Sequence, residues 1–553
     1  MHMTAQPLAH REPSPIPAVA DSASAIAQTV TRRTGWAFAA TLLTIEMLLL
    51  VAMPRWLYPG DNHSTRAEAI NLVARGELGI AYANRAELGE FLANRGQYFF
   101  ENDARQHFFP KYGLAYTLIY LPPVAVESRL STDMELLQDS PSLLLLLNLY
   151  NLVFVAVIVT YLWRLARCYT DDWRILSAFV FASVFCTHLA YYVRAHAHDI
   201  FQIAAFLGFA YHSLVFLRQR SISGPVPARP RVWLHLLAAN CWLGLLIHMR
   251  FSYGVLYLPL CAFVLLAGPS SLPPLERVWQ NLKVDRWRYA LALCAPAAAS
   301  IGTLLLIQWW KFGNPLDHGY AQWELPGERG WRLAHLGGQL HRYFVGRGNA
   351  NIWVYYPVLL FAILGMPYCL RKYRLESGFV LAISACILLP LLGMPDEGYG
   401  YGPRYMLPAL AVLSLPFVVA ARRTVSRAPL MAKVAGLSCF CVVMGWSLVM
   451  QLYVNSTHFF AYNLVQQQLT AATAGSDVEE DIAAYFRTWH RGTVHRDLVR
   501  YRNGDQEFPP VAMALSIAPQ NKRATVEEKL RALLDHASAP NSLFVPLLLS
   551  GRG

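Results

Sequence analysis

The feature that most constrains this chain is the length and spacing of its apolar blocks. Eleven stretches are apolar enough to read as spans: 35–54, 143–163, 175–193, 200–217, 232–249, 252–268, 289–309, 352–370, 377–394, 405–421 and 434–453. Most are close to the roughly 20 helical residues that cross the hydrocarbon core of a bilayer. Inside lipid every backbone N–H and C=O must be paired within the protein, so spans of this length fold as helices. The expected class is therefore an all-α polytopic membrane protein. Composition agrees: 55% of the 553 residues are hydrophobic and 15% are Asp, Glu, Lys or Arg, against about 25% charged residues in an ordinary soluble domain. A soluble cytosolic enzyme, a secreted disulfide scaffold and a disordered chain are excluded.

The formal charge is +12, which in a soluble protein would point to nucleic acid. Placement gives another meaning. Compact basic clusters fall between alternate spans: Arg32 and Arg33; Arg164, Arg167 and Arg174; Arg218, Arg220, Arg229 and Arg231; Arg277, Lys283, Arg286 and Arg288; Arg371, Lys372 and Arg374; Arg422, Arg423, Arg427 and Lys433. Lys and Arg mark the cytoplasmic side. One orientation fits all six, with the N-terminus cytoplasmic and, after an odd number of spans, the C-terminus external. No nucleic-acid partner is needed. The first span is too long, and lacks the small-residue site, for a cleaved signal peptide. Three divisions follow: a disordered cytoplasmic tail (1–33), a transmembrane catalytic domain (34–453) and a C-terminal external region (454–553), in which 478–485 and 526–536 read as helices. Eight of the nine cysteines fall in spans and Cys168 in a cytoplasmic loop, so no external structural disulfide is expected. Neither CxxC nor HExxH spacing occurs.

Four external segments are larger or odder than connectors: 55–142, 194–199, 310–351 and 395–404. Residues from several loops on one face of a rigid scaffold commonly make a site. In the first loop Asp61 follows Pro59-Gly60 and precedes Thr65-x-x-Glu68, which reads as a capping box opening a helix that stops at Gly76. A carboxylate there suits a general base toward a hydroxyl, or simply a turn after Pro-Gly. Lys111 precedes an apolar stretch, 112–126, expected as a re-entrant or interfacial helix, because a crossing there would invert the charge pattern; Lys111 either snorkels or pairs a lipid phosphate. The short run His196-Ala197-His198-Asp199 admits a metal, but two His and one Asp are a weak ligand set, and Asp199 also suits a helix cap. Arg250 sits between two spans with almost no loop, where a charge faces a cavity, a partner or the interface, and guanidinium suits phosphate. Glu46, inside span one, has no assigned partner. The 310–351 loop offers Lys311, Tyr320, His341 and Arg342, a mixture suited equally to sugar and phosphate contacts and to an interfacial belt. Finally Gly398, Gly400 and Gly402 alternate with Tyr399 and Tyr401, with Arg404 at the mouth of span ten.

In order and sidedness these features resemble the GT-C superfamily of integral-membrane glycosyltransferases, including the protein O-mannosyltransferases and the lipid A aminoarabinose transferases. The resemblance covers roughly 35–450. It rests on Gly60-Asp61 with the helix through Gly76, on Lys111-Tyr112-Gly113 with Leu121-Pro122-Pro123, on Asp199 opening span four, on Lys311 through Leu316 with Gly319-Tyr320, and on Gly402 through Pro408. It implies transfer of a sugar from a polyprenyl-phosphate donor to a hydroxyl of a glycan, lipid or protein acceptor at the external face of a bacterial inner membrane, usually with inversion. It further implies Asp61 as general base and Asp199 as a second acidic site residue. Arg250, with Lys111 and Arg404, would bind donor phosphate; His196, His198, Lys311, Tyr320, His341, Arg342 and Tyr401 would line the substrate site. The chain departs from the aminoarabinose transferases at Asp61-Asn62, where they have Asp-Glu, and at His198-Asp199-Ile200, where Asp-Pro is common. The resemblance fixes no cofactor, and a divalent metal stays open. The alternatives are a polyprenyl-linked oligosaccharide polymerase or ligase, which would lean on the Arg- and His-bearing 310–351 loop, and a non-enzymatic lipid-linked sugar transporter, which would be expected to show repeat symmetry.

Overall fold

Apolar length and polar interruptions together decide where the helices begin and end. The computed structural model describes residues 17–54, 61–92, 98–131, 136, 140–194, 196–223, 230–268, 272–317, 319, 332–346, 350–394, 401–458, 461–488, 490–521 and 523–540. The helices run, in order, α1 (Pro17–Val51), α2 (Asp61–Arg75), α3 (Leu114–Leu130), α4 (Pro141–Arg167), α5 (Trp173–Phe185), α6 (Leu189–Val193), α7 (His198–Ser223), α8 (Pro230–Met249) and α9 (Tyr257–Leu266). They continue as α10 (Pro274–Tyr289), α11 (Ala295–Phe312), α12 (Leu336–Phe344), α13 (Ile352–Tyr355), α14 (Val358–Lys372), α15 (Arg374–Leu392), α16 (Leu407–Leu413), α17 (Pro416–Arg427) and α18 (Leu430–Asn455). α19 (Ala461–Thr473), α20 (Glu479–Phe486), α21 (Gly492–Arg502), α22 (Pro509–Ser516) and α23 (Arg523–Ser538) complete the chain. α1 starts at Pro17, inside the stretch expected as an unstructured tail.

Among the described residues, eight helices are long and apolar enough to cross a membrane, not the eleven expected: Arg33–Val51, Pro141–Arg167, His198–Ser221, Pro230–Met249, Pro274–Phe312, Arg374–Leu392, Arg404–Arg427 and Leu430–Asn455. The other three expected spans form shorter helices, and each interruption has a local cause. At 175–193, α5 stops after 13 residues. His188 interrupts the chain there, its ring nitrogens 3.0 and 3.3 Å from the carbonyl oxygens of Tyr355 and Pro403. At 252–268 the chain opens as a 3-10 turn, Phe251–Leu256, behind Arg250, which leaves ten residues of α helix. At 352–370 the four-residue α13 ends before Pro357, and proline has no N–H to continue the ladder.

Described members of the basic clusters gather at one end of the bundle. There Arg218 bonds the Glu376 carboxylate at 3.2 Å, Arg422 bonds the Tyr169 carbonyl at 2.8 Å, and buried Asp285 pairs with Arg220 at 2.7 Å and Arg288 at 2.9 Å. Residues from the 55–142, 194–199, 310–351 and 401–404 segments meet at the other end. Besides its helices the first loop contains a three-stranded antiparallel sheet, which the sequence pattern does not announce. β1 (Ile80–Ala81) and β2 (Phe99–Asn102) flank β3 (His107–Pro110), with Phe100 opposite Phe109. The sheet is tied to the bundle where the Asn102 side-chain amide donates to the Lys311 carbonyl at 2.8 Å. The stretch expected as a re-entrant or interfacial helix, 112–126, forms α3, packed on α2, α4 and α8. Beyond Asn455 a separate apolar core, including Val465, Leu469, Ile482, Phe486, Leu498 and Leu534, holds α19 to α23 together.

Candidate functional site

α2 begins one turn earlier than the capping-box pattern implies, at Asp61 instead of Thr65. The capping expectation is therefore corrected. Thr65 and Glu68 lie inside the helix, three residues apart and so on one face, and that face is wholly buried. Each side chain reaches a different element. Thr65 Oγ1 lies 2.9 Å from His198 Nε2. The Glu68 carboxylate takes the Lys311 ammonium at 3.1 Å and a hydrogen bond from the Thr117 hydroxyl. The backbone N–H of His198 donates to Asn62 Oδ1 at 3.0 Å. Asn62 adjoins Asp61 and His198 adjoins Asp199, so the N-terminal ends of α2 and α7 are held side by side. The backbone of Asp61 opens α2; its side chain lies outside the described residues.

A second group forms where α3, the α8 corner and the end of α11 meet. Lys111, Tyr112, Arg250, Gln308 and Lys311 line one small opening there. The elements approach closely at Gly113, where a Cβ would stand 1.8 Å from the His248 carbonyl oxygen. Tyr112, in the wall of the opening, sets its ring 5.0 Å from that of His198, which joins this opening to the helix N-termini. The Lys111 ammonium lies 5.1 Å from the centre of the Tyr112 ring and 5.9 Å from that of Tyr98. Arg250 and Arg404 lie over the same ring, Tyr405, at 4.4 and 4.5 Å, and Arg404 also donates to the Tyr405 hydroxyl. Asp199 and Arg250 are both within electrostatic range of Tyr253, whose hydroxyl donates to Gln202 at 2.8 Å. Two guanidinium groups on one phenol ring, with an ammonium across the opening, create a positive potential suited to an anion.

The structure thus brings Asp199, Lys111, Arg250 and Arg404 to one end, beside the start of α2. Other expected site residues are placed differently. Lys311 is fully buried in its pair with Glu68. His198 is packed 3.7 Å from the Tyr116 ring and is 7% exposed. His196 is buried among Tyr120, Tyr150, Phe154 and Phe201. Its two ring nitrogens have no hydrogen-bond partner among the described residues, and burial first, then Arg66, holds its pKa well below the usual histidine value. Tyr401 belongs to a different cluster. Its hydroxyl lies 3.1 Å from His490 Nε2, and its N–H donates to the Tyr192 hydroxyl at 3.1 Å, at the junction with the C-terminal helices. His341 and Arg342 lie on α12, and the Arg342 charge is felt by Arg491 at that same junction. Tyr320 lies outside the described residues. Among the described residues no three His, Cys, Asp or Glu side chains converge as metal ligands.

Sequence reasoning passed over Arg66 and Gln308. Arg66 is 1% exposed, the charge nearest the start of α2 in a wholly buried setting. Burial and then Arg66 depress the pKa of His63 to about 3, which keeps that ring neutral. The available signal was periodicity: with Asp61 as the first helical residue, Arg66 falls on the inward side together with Asn62 and Ala69.

No family model matches the chain, and no curated protein does. Among solved structures it is similar to the oligosaccharyltransferase AglB of Archaeoglobus fulgidus in complex with an inhibitory peptide and a dolichol-phosphate, at 12% identity and a TM-score of 0.46, covering 82% of this chain and 60% of that one. The same archaeal enzyme tethered to an acceptor peptide containing the NVT sequon gives 11% identity and 0.46, covering 82% and 59%. It is also similar to ArnT of Cupriavidus metallidurans bound to undecaprenyl phosphate, at 12% identity and 0.42, covering 94% and 77%. The chain thus spans about three fifths of the archaeal enzyme's length.

Proposed function

We propose that this protein is a GT-C-type glycosyltransferase that moves a sugar from a polyprenyl-phosphate donor to an acceptor hydroxyl at the external face of the membrane. One observation carries the reading: Lys111 and Arg250 line a single opening beside the paired N-termini of α2 and α7, the positions of Asp61 and Asp199. The phosphate of the donor takes Lys111 and Arg250, with Arg404 behind Tyr405. The prenyl chain remains in the bilayer, so the reacting carbon stays at the interface.

The step is a single displacement. The acceptor oxygen attacks the anomeric carbon, its proton passes to the Asp61 carboxylate, and the bond from that carbon to the phosphate oxygen breaks. Polyprenyl phosphate departs with the electron pair. Because the leaving group is an anion, cations placed at its oxygens lower the barrier without a general acid. A single base and no covalent carboxylate gives inversion at the anomeric centre, as in inverting glycoside chemistry. Asp199, whose charge with that of Arg250 acts on Tyr253, holds the second acidic position.

The test is turnover by the purified full chain in lipid nanodiscs with a panel of radiolabelled polyprenyl-phosphate sugars and hydroxyl acceptors. The expected result is acceptor-dependent release of polyprenyl phosphate and a product of inverted configuration. Retention of configuration removes the single-base mechanism. Absence of turnover with every donor removes the reading.

A further inference from the structure

A second cavity, of about 420 Å³, opens at the basic end of the bundle, remote from the site just described. It lies between the end of α4, the start of α5, Tyr373 and the last turns of α17. Its volume falls in the usual range for small-molecule sites, about 300–1,000 Å³. Buried Tyr169 and Thr170 form the floor, and exposed Arg167, Asp171 and Arg422 stand on the rim.

The charges around this cavity are balanced. Two guanidiniums, Arg167 and Arg422, and two carboxylates, Asp171 and Asp172, line one space, and Asp172 caps α5 by accepting from the Arg174 N–H at 3.0 Å. Behind the floor the next cation, Arg218, is likewise balanced by Glu376. Arg422 uses Nη1 on the Tyr169 carbonyl at 2.8 Å, and its other guanidinium nitrogens make no hydrogen bond among the described residues. Arg167 and Asp171 stand 3.6 Å apart, and the Asp171 side chain is 68% exposed. That exceeds the roughly 2.7–2.9 Å of a charge-assisted bond, so this pair can open to admit a ligand with a charge for each member. A purely anionic ligand would meet both carboxylates; a ligand carrying phosphate and ammonium together satisfies both signs.

The flank of the cavity is apolar. Val425 lines it and is 54% exposed. Nearby in sequence stand exposed Trp173 at the start of α5 and exposed Leu430 and Met431 at the start of α18. Tryptophan favours the headgroup level of a bilayer, and the exposed aliphatic side chains offer a surface for acyl chains. We propose that this cavity binds the phosphoethanolamine headgroup of a zwitterionic phospholipid, with the phosphate on Arg422 and Arg167 and the ammonium on Asp171. The inference is independent of the glycosyltransferase reading.

Native mass spectrometry of the purified full chain, exchanged into detergent doped with equal amounts of phosphatidylethanolamine and phosphatidylglycerol, tests it. The wild-type protein should retain phosphatidylethanolamine in preference. Arg422→Gln should lower that retention about tenfold, the size expected for one charge-assisted hydrogen bond. Asp171→Asn should shift the preference toward phosphatidylglycerol. Both side chains are exposed, and unchanged thermal unfolding of each variant verifies its fold. Equal retention of the two lipids by the wild type, or unchanged retention in both variants, overturns the site. Soluble glycerophosphoethanolamine should compete only weakly; competition as strong as that of the lipid would overturn the assignment to a membrane lipid.

Discussion

The described contacts of the cations differ between the two ends of the bundle. At the basic end, arginines are bound to carboxylates and carbonyls: Arg218 to Glu376, Arg220 and Arg288 to Asp285, and Arg422 to the Tyr169 carbonyl. At the other end, Lys111, Arg250 and Arg404 rest on the rings of Tyr112, Tyr98 and Tyr405. Arg218, Arg220 and Arg288 tie helices together at the first end, where Arg422 also lines the second cavity; Lys111 and Arg250 line the opening at the other end. Lys311 is the exception at the second end, because its buried pair with Glu68 ties α2 to α11.

The largest expected effect lies at the base. Asp61→Asn should lower transfer at least about a hundredfold, within the range for loss of general-base catalysis, while gel filtration and thermal unfolding stay as in the wild type. Full activity in that variant would sink the assignment.

The buried ion pairs distinguish the two ends next. Glu68→Gln leaves Lys311 buried without its carboxylate and should cost about 3–5 kcal/mol, the usual cost of breaking a buried pair from one side. The double variant Glu68→Gln with Lys311→Met should recover most of that stability. At the basic end, Arg220→Ala leaves Asp285 with Arg288, so its cost should be smaller and transfer in the folded fraction should be unchanged. Chemical denaturation of all three variants, paired with turnover, measures the contrast.

Arg250→Ala should raise the apparent KM for the polyprenyl donor about tenfold, equivalent to one charged hydrogen bond, with the acceptor KM unaltered. Equal changes in both constants would take Arg250 away from the donor phosphate.

A smaller, pH-dependent effect concerns the C-terminal helices. Burial depresses the pKa values of His490 and His495 to about 3, and that of His458 to about 4. These values lie below the histidine reference of about 6.5, so the unfolded chain takes up protons first as the pH falls. The stability these rings contribute is fully present above about pH 6.5 and declines toward pH 3–4. Hydrogen exchange at pH 4.5 should therefore speed up in α19–α23 before it does in α4 or α7; uniform exchange across both would contradict this.

Much of this arrangement was legible in the chain because long apolar runs and loop charges are local signals. They gave the eight long helices, the basic end and the α20 and α23 stretches. The three short helices were not legible. Their interruptions depend on partners far away in sequence, such as the carbonyls of Tyr355 and Pro403 around His188. The start of α2 was misplaced for a related reason. Thr65-x-x-Glu68 matches a cap locally, but in the fold both side chains are taken by His198 and Lys311, which are 133 and 243 residues away. Lys111, just before the apolar 112–126 stretch, and Arg250, between two spans, were legible as candidates. Their meeting at one opening was not, since it depends on the close approach of Gly113 to α8.

The central claim is that a polyprenyl phosphate docks at the Lys111–Arg250 opening, and site-resolved photo-crosslinking tests it most directly. A polyprenyl-phosphate analogue with a photoreactive group next to the phosphate should label peptides containing 111–114, 247–251 and 304–312, and excess polyprenyl phosphate should suppress that labelling. Labelling confined to other segments, or undiminished by the competitor, would contradict the account.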